Sequence, residues 1–207
     1  MEPKSHWEGV YASKRPSEVS WYQEHLRVSL EMIDHSGITR DDYIIDAGGG
    51  ASTLVDDLLD RGFRNVTVLD VSQKAVEASQ VRLGSRSGQV RWIVSDLLEA
   101  SLEEGRYLLW HDRAVFHFLT DAGSRRKYVA QVRHALARGG RLVISAFSTE
   151  GPPKCSGLAV CRYTAESLLE EFGPGCRLIE SRTEHHRTPS GATQEFLYCA
   201  IAFDGPG

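Results

Sequence analysis

The run Ile44-Ile45-Asp46-Ala47-Gly48-Gly49-Gly50-Ala51-Ser52-Thr53 passes from a short apolar strand through an acid into a glycine turn, then into the first turn of an apolar-periodic helix. A strand, a glycine turn and a helix in that order open a βα unit. Gly48 and Gly50 let the backbone turn sharply and let a ligand come into contact with the main chain. The expected occupant is a nucleotide-like cofactor.

The acid narrows the choice. In a dinucleotide-binding turn a third glycine follows three residues after the second, but that position here is Thr53. Asp46 would also stand near the diphosphate, and two like charges at about 4 Å repel by roughly 4 kcal/mol at an effective dielectric of 20. A ligand with an ammonium, a sulfonium and no phosphate, such as S-adenosylmethionine, turns that repulsion into attraction. A nicotinamide cofactor is disfavoured on the same grounds.

Two further acids follow at strand ends. Val66-Thr67-Val68-Leu69-Asp70 is a second β-branched strand, and Asp70 lies 22 residues after Gly48, the length of one αβ unit. An acid there can accept hydrogen bonds from both ribose hydroxyls. Arg91-Trp92-Ile93-Val94-Ser95-Asp96 is a third such strand, and Asp96 can accept from an adenine amino group. Ligands of open α/β sheets bind in the crevice beyond the carboxyl ends of the strands, where all three acids fall.

With these features the chain resembles the class I S-adenosylmethionine-dependent methyltransferases from about Trp21 to Phe203. The resemblance rests on Asp46-Ala47-Gly48-Gly49-Gly50, Asp70, Ser95-Asp96-Leu97 and Leu136-Ala137-Arg138-Gly139-Gly140-Arg141-Leu142. It implies that Asp46 and the glycines hold the methionine end of the cofactor, Asp70 the ribose and Asp96 the adenine, with Ala47, Val71 and Leu97 among the cofactor contacts. His111 and Trp21 are expected beside the cofactor. The family often has a proline where Arg138 stands and an acid near Leu108 or Leu109, positions remote from this pocket.

The rest of the chain reads as alternating helices and strands. Helices are expected over Trp21 to His35, from Leu54 to a stop at Gly62, from an N-cap at Ser72 to Leu83, from about Ser124 to Leu136 with a stop at Gly139-Gly140, and over Thr164 to Phe172. Strands are expected at 43–46, 66–70, 90–94, 107–111, 141–147, 178–183 and 194–203. Alternation of this kind builds a doubly wound, mostly parallel α/β sheet with helices on both faces. The last two strands, joined only by Pro189-Ser190-Gly191, should pair antiparallel and complete a seven-stranded sheet. One domain over 1–207 is expected, with residues 1–36 as an aromatic, helical cap on a core at 43–203.

Composition excludes several classes. A net charge of −4 argues against broad nucleic-acid binding, and Arg125-Arg126-Lys127 and His185-His186-Arg187 read as solvated surface. No apolar run approaches the ~20 residues that span a bilayer, and the start lacks the apolar core of a signal peptide. The four cysteines show no metal-binding spacing and read as reduced thiols of a cytoplasmic protein.

Three stretches carry candidate chemistry. In Trp110-His111-Asp112-Arg113-Ala114-Val115-Phe116-His117-Phe118, His111 and Asp112 are the candidate catalytic pair. Asp112 would orient or deprotonate the acceptor, Arg113 would hold an anionic part of it, and His117 would line it. The plainer alternative is an Asp112–Arg113 ion pair and a core His117. Trp7, Tyr11, Trp21 and Tyr22 can close over the site or simply anchor the segment. Phe147, Lys154, Cys155 and Arg162, at the end of the fifth strand and in the loop after it, would border the acceptor.

The expected activity is transfer of a methyl group to an oxygen, nitrogen or sulfur of a small molecule. Trp21-Tyr22 also looks like the protein-lysine methyltransferases of this class, but their Asp-Lys-Gly-Thr segment is replaced by Asp112-Arg113-Ala114-Val115. A protein acceptor is therefore the second expectation. A regulator that binds the cofactor without turnover is the third.

Overall fold

The computed structural model describes residues 3–204, so the outermost residues of the expected 1–207 unit lie outside the described residues. In chain order the elements are α1 (Pro3–Ser13), α2 (Arg27–His35), β1 (Tyr43–Ala47), α3 (Leu54–Asp60), β2 (Asn65–Asp70), α4 (Gln73–Leu83), β3 (Val90–Val94) and β4 (Tyr107–Arg113). They continue with α5 (Ala122–Ala135), β5 (Leu136–Ser148), the short strands β6 (Lys154–Cys155), β7 (Leu158–Ala159) and β8 (Arg162–Tyr163), then α6 (Ala165–Phe172), β9 (Cys176–Arg187) and β10 (Thr193–Phe203).

The main sheet runs β3-β2-β1-β4-β5-β10-β9, with β8 pairing the end of β5. β1 pairs in parallel with β2 on one side and β4 on the other, Ile44 opposite Val66 and Leu109. β10 alone runs against its neighbours, with Tyr198 opposite Ser145 of β5 and Arg182 of β9. This is the expected mostly parallel seven-stranded sheet with an antiparallel carboxyl-terminal strand.

Side chains of a strand alternate between its two faces, and the two cores follow that period. Ile44, Leu109 and Val143 pack with Leu30 and Ile33 of α2 and Leu54 and Leu58 of α3. Ile45, Trp110 and Ile144 pack on the other face with Tyr128 and Val132 of α5 and Leu168 and Phe172 of α6. Complete burial of each such aliphatic or aromatic side chain contributes about 1.5–3 kcal/mol.

Two helix boundaries differ from expectation. The helix expected from Trp21 begins only at Arg27, because carbonyls upstream are used by tertiary partners. That of Trp21 accepts from Arg113 Nη1 (2.8 Å) and that of Gln23 from Thr53 Oγ1 (2.9 Å). The helix expected from about Ser124 to Leu136, with its stop at Gly139-Gly140, ends at Ala135, and Leu136 turns extended to pair with Tyr107 of β4. Its buried face is Tyr128, Val132 and Ala135.

Ser72 begins α4 as expected, its Oγ accepting the N–H of Ala75 at 3.2 Å. Ser72→Ala should lower the free energy of unfolding by about 1 kcal/mol, the usual worth of such a cap. Urea denaturation checks this, and unchanged stability would contradict it.

Candidate functional site

A cavity of about 440 Å³ opens over the carboxyl ends of β1, β2, β3 and β4, within the range of small-ligand pockets. Its floor is the turn after β1. Gly48 has φ +74°, and a Cβ there would fall 2.0 Å from Val115 Cγ2. A Cβ on Gly49 would fall 2.2 Å from Asp46 Oδ2, and one on Gly50 would fall 2.5 Å from Asp70 Oδ2. Gly49 and Gly50 therefore admit the two carboxylates into the turn, and Gly48 admits Val115.

Asp46 is 2% exposed, and its Oδ1 lies 2.7 Å from His111 Nδ1. Its Oδ2 is buried with no hydrogen-bond partner among the described residues. A buried carboxylate oxygen left without a donor is costly, so an ammonium-bearing ligand suits this position. Asp70 accepts from the backbone N–H of Ser72 at 2.8 Å and of Gly50 at 2.9 Å. Burial nonetheless raises its pKa to about 6, against the lowering pull of those donors. Asp96 follows β3 on the rim and accepts from Leu98 N–H at 2.8 Å. The three acids, with Val71, Leu97 and Trp21, line one continuous cavity.

α1 roofs it. Glu8 Oε1 accepts the N–H of Gln73 at 2.6 Å, fastening α1 to the first turn of α4, where a carboxylate also meets the positive end of the helix dipole. Trp7 packs edge-on against Trp21 and Phe118, with ring centroids 5.7 and 5.1 Å away. Tyr11 lines the same space, and burial raises its pKa above the usual phenol range, with the nearby Asp70 adding to the effect.

The alternation of β4 divides the candidate catalytic residues. His111 and Arg113 point to the face of α2 and the amino-terminal segment, and both line the cavity. Asp112 points the other way and does not line it. Its Oδ1 accepts from Val115 N–H (2.9 Å), and its Oδ2 from Phe116 N–H (3.1 Å) and Tyr128 O–H (2.6 Å). The Tyr128 hydroxyl in turn accepts from Trp110 Nε1–H at 3.1 Å. Asp112 is thus a buried cap on the turn that carries Phe118, which corrects its expected role as acceptor base. It also forms no pair with Arg113.

Arg113 is largely committed. Its Nε donates to Tyr198 Oη and its Nη1 to the Trp21 carbonyl, both at 2.8 Å, and the guanidinium lies 4.7 Å over the Phe196 ring. It joins the amino-terminal segment to β10, and Nη2 stands 3.9 Å from Glu184.

Other expected acceptor contacts divide in the same way. Trp7, Tyr11, Tyr22 and Cys155 line the cavity. His117 does not: it is fully buried, its ring lies against Phe118 and Phe147, and burial lowers its pKa to about 3. Phe147 is core, packed between His117 and Phe196. Lys154 is exposed on β6, where it pairs with Ala159, and Arg162 donates to the carbonyls of Thr149 and Gly151 to hold its own loop. Among the cofactor candidates, Ala47 is core, while Gly50 acts through its N–H on Asp70. Sequence reasoning did not single out His6, Phe118, Leu119, Leu158 and Ala159, all of which line the cavity. It also missed Ser29, which bonds His111.

The pattern of a methyltransferase domain family matches residues 44–140. EEF1A lysine methyltransferase 2 of Danio rerio is 23% identical over 192 residues, covering 85% of this chain and 76% of that protein. The protein of the same name from Homo sapiens is 22% identical, with coverages of 86% and 75%. In fold, the chain is similar to a structure solved for the conversion of a disulfide bond into a thioacetal group during echinomycin biosynthesis. The TM-score is 0.80 and the identity 16%, over 98% of this chain and 92% of the other. It is also similar to the Burkholderia thailandensis 1,6-didemethyltoxoflavin-N1-methyltransferase, solved with 1,6-didemethyltoxoflavin and S-adenosylhomocysteine bound. There the TM-score is 0.76 and the identity 21%, over 98% and 87% of the two chains.

Burial raises the Asp112 pKa to about 6, above the unfolded value of 3.8, with Tyr128 and the two backbone N–H groups pulling it down. The folded state therefore binds this proton more tightly, so the stability contributed by Asp112 falls as pH rises from about 4 to 6 and is level above that. Asp112→Asn places an amide against two N–H and O–H donors. It should cost about 2–3 kcal/mol of stability at pH 7, while the folded variant binds S-adenosylhomocysteine within about twofold of wild type. Wild-type stability combined with lost methyl transfer would contradict the capping role.

Proposed function

We propose that this chain, a class I S-adenosylmethionine-dependent methyltransferase, transfers a methyl group to an oxygen, nitrogen or sulfur of a small, largely apolar acceptor. Its proposed organisation is one catalytic unit, with the segment up to residue 36 as its cap. The orphaned Oδ2 of Asp46 receives the cofactor's ammonium. Asp70 takes the ribose hydroxyls and Asp96 the adenine amino group, with Val71, Leu97 and Trp21 packed alongside. Bound there, S-adenosylmethionine supplies a methyl carbon already activated by the attached sulfonium.

What the residues must then do is align the acceptor and exclude water. The observation that carries the reading is the wall of the acceptor side. Trp7, Phe118, Leu119, Leu158 and Ala159 form it beneath the α1 roof, a surface suited to a planar or apolar molecule. Asp112 faces away, and both ring nitrogens of His111 are engaged. The acceptor therefore arrives with an available lone pair.

The names of the curated relatives make a protein lysine the second reading. The cavity suits it less well. Beyond Asp46, Asp70 and Asp96, its described lining holds no carboxylate to meet a lysine ammonium, and Arg113 would repel one. No helix among the described residues is long and apolar enough to cross a membrane. The four unpaired thiols suit a reducing compartment, and the cytoplasm is the one proposed.

Methyl transfer to a panel of heteroaromatic amines, phenols and thiols, run beside the eEF1A protein for which the curated relatives are named, tests this reading. Turnover on small acceptors is expected, with Trp7→Ala raising the acceptor KM at least tenfold. Methylation of the protein alone would overturn it. Asp70 adds a pH signature. Hydroxyl donors favour its ionised form, so S-adenosylhomocysteine affinity should hold from pH 8 to 6.5 and weaken by up to about tenfold towards pH 5. Asp70→Asn should flatten that profile in calorimetric titrations. A flat profile in the wild type would contradict the ribose assignment.

A further inference from the structure

Ser29 sits in α2 with its side chain fully buried, and its Oγ lies 2.9 Å from His111 Nε2. The other nitrogen of that ring, Nδ1, lies 2.7 Å from Asp46 Oδ1. Three residues from α2, β4 and β1, none more than 2% exposed, thus form one hydrogen-bonded chain. Its polarity follows from what each group can do. An ionised carboxylate only accepts, so Nδ1 carries the hydrogen and donates to Asp46; in a neutral ring Nε2 then accepts, and takes the hydroxyl hydrogen of Ser29.

Along this chain one polar atom is left over. Asp46 lines the cavity, its Oδ2 is buried with no partner among the described residues, and the missing Cβ of Gly49 leaves that oxygen the room it occupies. A carboxylate fixed through one oxygen has its second oxygen fixed in direction as well. We propose that Ser29, acting through His111, is a positioning residue that holds Asp46 with Oδ2 presented to the amino group of the cofactor's amino-acid end. This rests on the methyltransferase reading of the site.

Loss of the Ser29 hydroxyl leaves Nε2 buried without its donor and frees the ring to turn or to exchange tautomers. Asp46 then loses its fixed orientation, while Asp70 and Asp96 keep theirs, because neither touches this chain. The effect is therefore confined to ligands that carry the amino acid. 5′-Methylthioadenosine has the nucleoside but no amino-acid end, and so reports on the rest of the site.

The experiment is calorimetric titration of S-adenosylhomocysteine and 5′-methylthioadenosine into wild type, Ser29→Ala and Ser29→Thr. Ser29→Ala should weaken S-adenosylhomocysteine at least tenfold and 5′-methylthioadenosine less than twofold, and Ser29→Thr, which keeps a hydroxyl, should restore most of the loss. Unchanged binding in Ser29→Ala, or equal weakening of both ligands, would overturn the proposal, the latter marking a merely structural serine. Nitrogen-15 spectra of His111 in the wild type give a second reading that needs no variant. They should show the hydrogen on Nδ1, and a ring protonated on Nε2, alone or with Nδ1, would overturn the proposed polarity. If the folded wild type binds neither ligand, the cofactor reading itself fails and this proposal with it. If it binds both, only the roles of Ser29 and His111 are at issue.

Discussion

Between β1 and β4 the order of strands reverses: β2 and β3 are laid down on one side of β1, and β4 and β5 on the other. The connections leaving β1 and β4 consequently depart to opposite sides and leave a crevice at their carboxyl ends. The rest of the structure depends on how that crevice is lined. Asp46 and Asp70 are carried into it at 2% and 9% exposure, where an uncompensated charge is expensive. The chain compensates with backbone N–H donors for Asp70 and an imidazole for Asp46. The glycine turn has no side chains that would fill the space these acids need.

The amino-terminal segment closes what the sheet leaves open. Arg113, Thr53 and His186 bind carbonyls of Trp21, Gln23 and Ser20, so this irregular stretch is tied to β4, the glycine turn and β9. α1 reaches over it, held at Glu8 to α4. The cavity is thereby walled by residues far apart in sequence, from Trp7 to Ala159. A charged half and an aromatic half sit in one cavity, and this division underlies the proposal of a small apolar acceptor.

The sheet and the acids that its strand ends bring to one cavity were legible because each leaves a local mark. Short, largely apolar runs end in Asp46, Asp70 and near Asp96, and glycines stand where the turn must tighten. The residues of β4 were not legible at the level of role. Their density of charge drew attention to His111, Asp112 and Arg113 together, although neighbouring strand residues face opposite ways. Alternation was the available signal: Trp110 and Asp112 share the α5 face, and His111 shares the other with Leu109. Trp21 looked helical because Tyr22, Leu26, Leu30 and Ile33 keep helical spacing, and only contacts distant in sequence draw its carbonyl out of a helix. Ser29 lies one turn after Leu26 on the buried face of α2, and a hydroxyl in that position was the one local hint of the His111 contact.

The account stands on the placement of the cofactor across the three acids, and the structure of the protein with S-adenosylhomocysteine bound is its most direct test. The account predicts the ligand's amino group within hydrogen-bond distance of Asp46 Oδ2, its ribose hydroxyls on Asp70 and its adenine beside Asp96, with the sulfur turned towards Trp7 and Phe118. A ligand lying outside this cavity, or in it with the amino group away from Asp46, would contradict it.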